Sequence, residues 1–198
     1  AMDRFGSDKP DLRFGMEITD LAAVFRGTQF KVFARALENG GVVKAINAKG
    51  LAHAPIKMVE EDWTGLAKEA GLGGLAYIRV QEDGTWKSPI VKFFSDAEKA
   101  GLQAALDIQP GDLVLFGADK AEKVLPVLGR IRLLAGAHAG VIPQDVFKFT
   151  WVTDFPLMER NDEGRLVSVH HPFTAPKPED IPLLDTDPEK VRAQAYDI

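Results

Sequence analysis

No cysteine occurs in the 198 residues. That excludes a disulfide framework, a thiolate metal site and a cysteine nucleophile, and it accords with a cytoplasmic protein. No apolar run approaches the roughly 18 residues of a membrane span, so no membrane partner is expected. The opening Ala1-Met2-Asp3-Arg4 has neither the apolar stretch nor the cleavage pattern of a secretion signal. A basic stripe is missing too. Residues 1–140 hold 18 Lys and Arg against 18 Asp and Glu, and residues 141–198 hold 6 against 11, which carries the whole net charge of −5. Strong phosphate-driven binding of nucleic acid by this chain alone is not expected. No glycine-rich phosphate loop is present, because Gly71-Leu72-Gly73-Gly74 follows an expected helix and reads as its C-terminal cap.

What is there reads as an ordinary soluble fold, with 45% hydrophobic and 27% charged residues. Residues 3–13 are polar and turn-rich. Leu12, Phe14, Met16 and Ile18 alternate with polar or small residues, as in a half-buried strand. Residues 20–27 predict a short helix capped by Asp20. Residues 30–37 suit strand or helix, and residues 42–48 suit a strand. Trp63, Leu66, Ala67 and Ala70 fall on one face of a helix over residues 60–71. Residues 75–80 and 86–94 predict a strand pair around the turn Gln81-Glu82-Asp83-Gly84. Ser95 with Glu98 matches a capping box that opens a helix to Leu106. Leu113-Val114-Leu115-Phe116 is a short buried strand. A second capping pattern, Asp119 with Glu122, opens a helix to Leu134, which Pro126 should kink or split.

Gly136, Gly140 and Pro143 mark a boundary. Beyond it a strand is expected from Phe147 through Phe155, then a turn at Asn161-Asp162-Glu163-Gly164 and a strand at Leu166–Val169. The stretch with Pro172, Pro176, Pro178 and Pro182 reads as an extended loop. The order of elements suggests an α+β layer for the first 135 or so residues and a β-rich tail that cannot close a core alone.

Chemistry-bearing residues are few. His53 and His138 are isolated and read as surface or satisfied histidines. His170-His171 stands at a strand end before Pro172-Phe173-Thr174. Neighbours on a strand point to opposite faces, so the two cannot easily share a metal, although one could face a site and donate to an anionic group. An exposed strand-end pair is the plainer reading of the spacing alone. Gly6-Ser7-Asp8-Lys9 reads as a solvated turn. The acidic cluster Asp180, Asp185, Asp187 and Glu189 lacks the alternation of a calcium loop and reads as a solvated face. No metal site and no catalytic residue is expected in this chain.

Four strings carry a resemblance. Arg4-Phe5-Gly6-Ser7-Asp8-Lys9-Pro10-Asp11-Leu12-Arg13 resembles the segment of bacterial-type aspartyl-tRNA synthetases that leaves the catalytic core for an inserted domain. Leu115-Phe116-Gly117-Ala118-Asp119-Lys120 resembles a signature within that insertion. Trp151-Val152-Thr153-Asp154-Phe155-Pro156, continuing to His170-His171-Pro172-Phe173-Thr174-Ala175-Pro176, resembles the return into the core. Val191-Arg192-Ala193-Gln194-Ala195-Tyr196-Asp197 is similar to the next core strand.

The resemblance implies an internal fragment. Residues 1–14 would be a flank of the catalytic core, 15–136 the inserted GAD domain, and 137–198 the truncated return into the core. It implies an α+β fold, an antiparallel sheet with helices packed on one side, followed by a β-rich partial segment of a class II core. The parent enzyme would activate aspartate with ATP, assisted by magnesium, transfer it to tRNA, and act as a homodimer. By resemblance His170 contacts the bound L-aspartate and His171 is a second candidate for that pocket. Ser7, Asp8 and Lys9 form a possible joint between core and insertion. The fragment itself would bind no cofactor, would bind tRNA weakly or not at all, and would be inactive, because nothing in it matches the ATP-gripping motifs of class II synthetases. Pro126 departs from the family's uninterrupted helix.

Overall fold

The run Leu113-Val114-Leu115-Phe116 offers water no polar face, and a strand of that kind needs cover on both sides. The computed structural model supplies it by placing this strand at the centre of a sheet. Residues 1–161 and 163–198 are described, and the chain divides into two units, Ala1–Phe147 and Lys148–Ile198. In the first unit the elements are α1 (Met2–Phe5), β1 (Thr19–Asp20), α2 (Lys31–Glu38), β2 (Val42–Ala48), a π-helical turn (Met58–Trp63) leading into α3 (Thr64–Glu69), β3 (Ala76–Val80) and β4 (Trp86–Lys87). A 3-10 turn (Val91–Phe93), α4 (Asp96–Leu106), β5 (Leu113–Asp119) and α5 (Ala121–His138) complete it.

The five strands form one antiparallel sheet in the order β1-β2-β5-β3-β4, with Ala45 opposite Phe116 and Ile46 opposite Leu115. The α+β class and the antiparallel sheet are as expected. Packing on one side only is not. On one face Ile46, Leu113 and Leu115 meet Trp63, Ala67 of α3 and Leu128 and Ile131 of α5. On the other, Val43, Ala45, Val114 and Phe116 meet Phe25, Phe33 of α2 and Leu102 of α4. Alternate residues of one strand point to opposite faces, so the continuous apolar run of β5 dictates two helical layers.

Several local expectations also change. Residues 11–18 form no strand, because Met16 takes a positive φ of 66° and breaks the alternation; Phe14 and Ile18 are nevertheless buried. Residues 22–27 form turns instead of a helix, although the Asp20 carboxylate does accept from the Ala22 N–H at 2.8 Å. Residues 30–37 resolve to helix as α2. The strand expected over residues 86–94 stops at Lys87, where Pro89 removes a ladder donor two residues on. The Ser95–Glu98 capping box is present in both directions. Gly71, at φ 83°, follows the end of α3 as expected.

Pro126 neither splits nor ends its helix: α5 runs unbroken for 18 residues. The hydrogen bond that Pro126 cannot make would have gone to Glu122 in the first turn, where both residues are exposed and water can serve the freed carbonyl. Val124, Leu128, Ile131 and Ala135 are fully buried along the opposite face and hold the helix in register.

Among its described residues the second unit holds one hairpin, β6 (Met158–Arg160) paired with β7 (Leu166–Ser168), and two 3-10 segments, Pro178–Leu184 and Pro188–Lys190. The expected turn between the strands includes Asp162, which lies outside the described residues. Its flanks are tied by Gly164 N–H donating to Asn161 O at 2.8 Å. The strand expected from Phe147 to Phe155 does not form. Only isolated bridges occur there, Val152 with Asp197 and Pro156 with Arg192, and Phe149 and Trp151 remain 81% and 62% exposed. Phe155, Val191 and Ala193 are the buried apolar residues among those described in this unit, too little apolar surface to complete a sheet.

Candidate functional site

In the second unit His170 follows the end of β7. Val169 N–H donates to Leu157 O at 3.1 Å and fixes the chain just before it. The imidazole of His170 meets the buried ring of Phe155 edge-on, with centroids 4.8 Å apart and planes at 82°. His170 itself is exposed. One ring edge is thus held by packing while the residue stays open to solvent. His171 is engaged differently. Its Nδ1 accepts from the Phe173 N–H at 3.2 Å, and its ring lies 4.9 Å from that of Phe173. With one nitrogen engaged in its own turn, His171 keeps only Nε2 for any ligand.

Next to Phe155 stands a charged cluster that the sequence did not suggest. The Arg192 guanidinium donates through Nε to Asp180 Oδ2 at 2.7 Å and through Nη2 to Asp180 Oδ1 at 2.9 Å, a fork-on-fork pair. The backbone N–H of Arg192 adds a bond to Asp180 Oδ2 at 2.9 Å. These bonds hold the Asp180 carboxyl down to about 2 and raise the Arg192 guanidinium. Asp180 is buried, so it is not part of the solvated acidic face that the sequence suggested. Lys177 donates to Asp154, and Arg192 Nη1 lies 3.4 Å from the same carboxylate. Lys177, foremost, and then Thr153 hold the Asp154 carboxyl below its usual range. Asp154 has a positive φ of 61°, an uncommon backbone state that turns it toward these cations. Sequence offered one usable signal, the odd placement of Asp154 between Thr153 and Phe155-Pro156; the partners come from strings 23 to 38 residues away.

Ser7, Asp8 and Lys9 belong to the first unit. Ser7 Oγ accepts from the Lys9 N–H at 3.0 Å, closing the turn locally. What anchors this segment is Arg132 of α5, which sequence reasoning missed. Only 1% exposed, it donates to the carbonyls of Asp11, Phe14 and Gly15 at 2.9 Å and of Met16 at 3.1 Å. Its guanidinium carbon lies 4.0 Å from the Phe14 ring centroid and 5.0 Å from that of Phe5. Burial pushes its pKa down, against the pull of Asp11 and Glu17.

His53 pairs with Glu82 at 3.1 Å on the surface. Among the described residues, no group of three or more His, Asp or Glu side chains gathers closely in one place. No helix among the described residues is long and apolar enough to cross a membrane.

Residues 33–128 match the family model of the GAD domain. Along its whole length the chain is 52% identical to the aspartate–tRNA(Asp/Asn) ligase of Halothermothrix orenii and 48% identical to that of Desulfatibacillum aliphaticivorans. It is 51% identical to the aspartate–tRNA ligase of Agathobacter rectalis. In each case it covers 33% of the relative's length. Residues 33–128 therefore match a GAD domain, and the chain as a whole is similar to about a third of the length of aspartate–tRNA ligases.

Proposed function

We propose that this chain serves as the insertion-bearing part of an aspartate–tRNA ligase that activates aspartate with ATP and magnesium and transfers it to tRNA as a homodimer. The supporting observation is identity of 48 to 52% with such ligases over the whole length of the chain. His170 contacts the aspartate carboxylate, its ring set by Phe155 and its free edge open. An anionic substrate needs a donor held on a fixed frame, and an imidazole supplies one. His171 borders the same pocket and shapes its turn. Ser7, Asp8 and Lys9 form the joint by which the core passes into the insertion, with residues 15–136 as the inserted domain. The insertion modulates contacts with the tRNA acceptor end or with the core.

The 198-residue chain alone is inactive on this reading, because nothing in its sequence matches the ATP-gripping motifs of class II synthetases. ATP–pyrophosphate exchange by the isolated chain should show no aspartate dependence, and a clear aspartate-dependent signal would overturn this. A second reading is a spacer or interaction module without a tRNA role, favoured by the balanced charge of residues 1–140. Excising residues 15–136 from the whole ligase separates the two: reduced tRNA charging with intact adenylate formation supports the first, and unchanged charging supports the second.

A further inference from the structure

An RNA contact on the first unit needs a source of affinity other than wholesale phosphate neutralisation, since its first 140 residues balance in charge. The sheet leaves one. β2 pairs with β5 as far as Val42 opposite Asp119, but β3 begins only at Ala76, opposite Phe116. Residues 117–119 of β5 thus have no strand on that side, and the loop with Gly73 and Gly74 passes there instead. The gap is a cavity of about 290 Å³ lined by Phe30, Val32, Phe33, Ile90 and Phe116 among others.

A second recess of about 560 Å³ shares Val32, Gly73 and Ala118 with the first and adds Arg35 and Lys120. Lys120 has only a loose pairing with Glu122, at 3.8 Å between largely exposed side chains. The neighbouring Asp119 is occupied by the Lys120 backbone N–H at 2.7 Å. Beside the apolar chamber the Phe30 ring is stacked on Phe93 at 5.5 Å and 20°. Phe93 is 44% exposed and carries the Lys92 ammonium 5.1 Å from its centroid.

A slot walled by aromatic rings, opening onto a rim with two cations, suits a planar base with its phosphate attached. A duplex cannot present a base this way. An apolar peptide side chain would use the chamber and leave the cations idle. Resting on the RNA-facing reading of the insertion, we propose that the cavity between α2, the Gly73-Gly74 loop and β5 receives an unstacked base from a single-stranded RNA end, with the adjoining phosphate at Arg35 and Lys120.

The test is a titration of the 198-residue chain with a single-stranded RNA tetranucleotide carrying 2-aminopurine at its 3′ end, with a blunt RNA duplex as control. Fluorescence and amide NMR shifts are followed. Quenching by the tetranucleotide alone is expected, with shifts confined to residues 30–36, 72–76 and 116–120. Val32→Glu, at a position 55% exposed and so tolerant of change, should weaken binding at least tenfold. Arg35→Glu with Lys120→Glu should weaken it and flatten its salt dependence. No response to the tetranucleotide, an equal response from Val32→Glu, or preference for an apolar peptide would overturn the proposal. In the whole ligase, excision of residues 15–136 tells the two levels apart. If excision lowers tRNA charging but Val32→Glu does not, this site is wrong and the broader reading stands. If excision leaves charging intact, the broader reading fails.

Discussion

Gly6 and Gly129 meet backbone to backbone. A Cβ on Gly129 would fall 2.6 Å from the carbonyl oxygens of Gly6 and Phe5, and one on Gly6 would fall 2.1 Å from Leu125 O. The segment that enters the first unit is thus seated directly on α5, with no side chain between. A glycine inside a helix ordinarily costs up to about 1 kcal/mol relative to alanine, so alanine at Gly129 would gain on propensity and lose on contact. Contact wins here, because both obstructing atoms are main chain. Gly129→Ala should lower unfolding stability by about 1–3 kcal/mol in urea titration. Gly65→Ala, in α3 with open space at its Cβ, should instead raise it by up to about 1 kcal/mol.

Arg132, one turn further along α5, fastens the residues that follow. Its replacement by methionine keeps most of the apolar stem and removes every donor from four carbonyls. A loss on the order of 3 kcal/mol follows, since buried acceptors are left unserved. Hydrogen exchange should rise at residues 11–17 before the sheet loosens. Arg132→Lys should rescue only part of the loss, because one ammonium cannot span the fan of acceptors that a planar guanidinium reaches.

The second unit should respond to acid through Asp180. Its carboxyl is lowered in the fold from 3.8 to about 2, so its pairing with Arg192 stabilises fully above about pH 4 and is lost as pH falls through about 2. An NMR titration following the Arg192 Nε–H should show that resonance persist at pH 4 and fade toward pH 2. Asp180→Asn should abolish that step and expose the Arg192 signal to exchange at neutral pH.

The elements that sequence revealed are those governed by neighbours in the chain. Ser95 and Glu98 cap a helix through their own backbone, and Val42–Ala48 carries its strand character in its residues. Those it concealed depend on distant partners. The alternation at Leu12, Phe14, Met16 and Ile18 was a sound strand pattern, overridden when Arg132, more than a hundred positions on, gathered the carbonyls of that stretch. Pro126 was a sound helix breaker, overridden by the apolar face of α5 against the sheet. The sidedness of the helical layers followed from the run in β5, which the resemblance alone did not convey. Of the candidate site, the histidine pair was legible because it is a contiguous string. The Asp154, Lys177, Asp180 and Arg192 cluster was not, since no local pattern joins four charges from three separate strings.

The most direct measurement for the account is the aspartate dependence of ATP–pyrophosphate exchange in a whole ligase bearing this sequence, compared between the parent and His170→Ala. Loss of one hydrogen bond to a charged group, worth about 1.5–3 kcal/mol, should raise the KM for aspartate by roughly ten- to a hundredfold, with the KM for ATP little altered. An aspartate KM unchanged by the substitution would contradict the placement of His170 at the substrate and, with it, the reading of this chain as the return into the synthetase core.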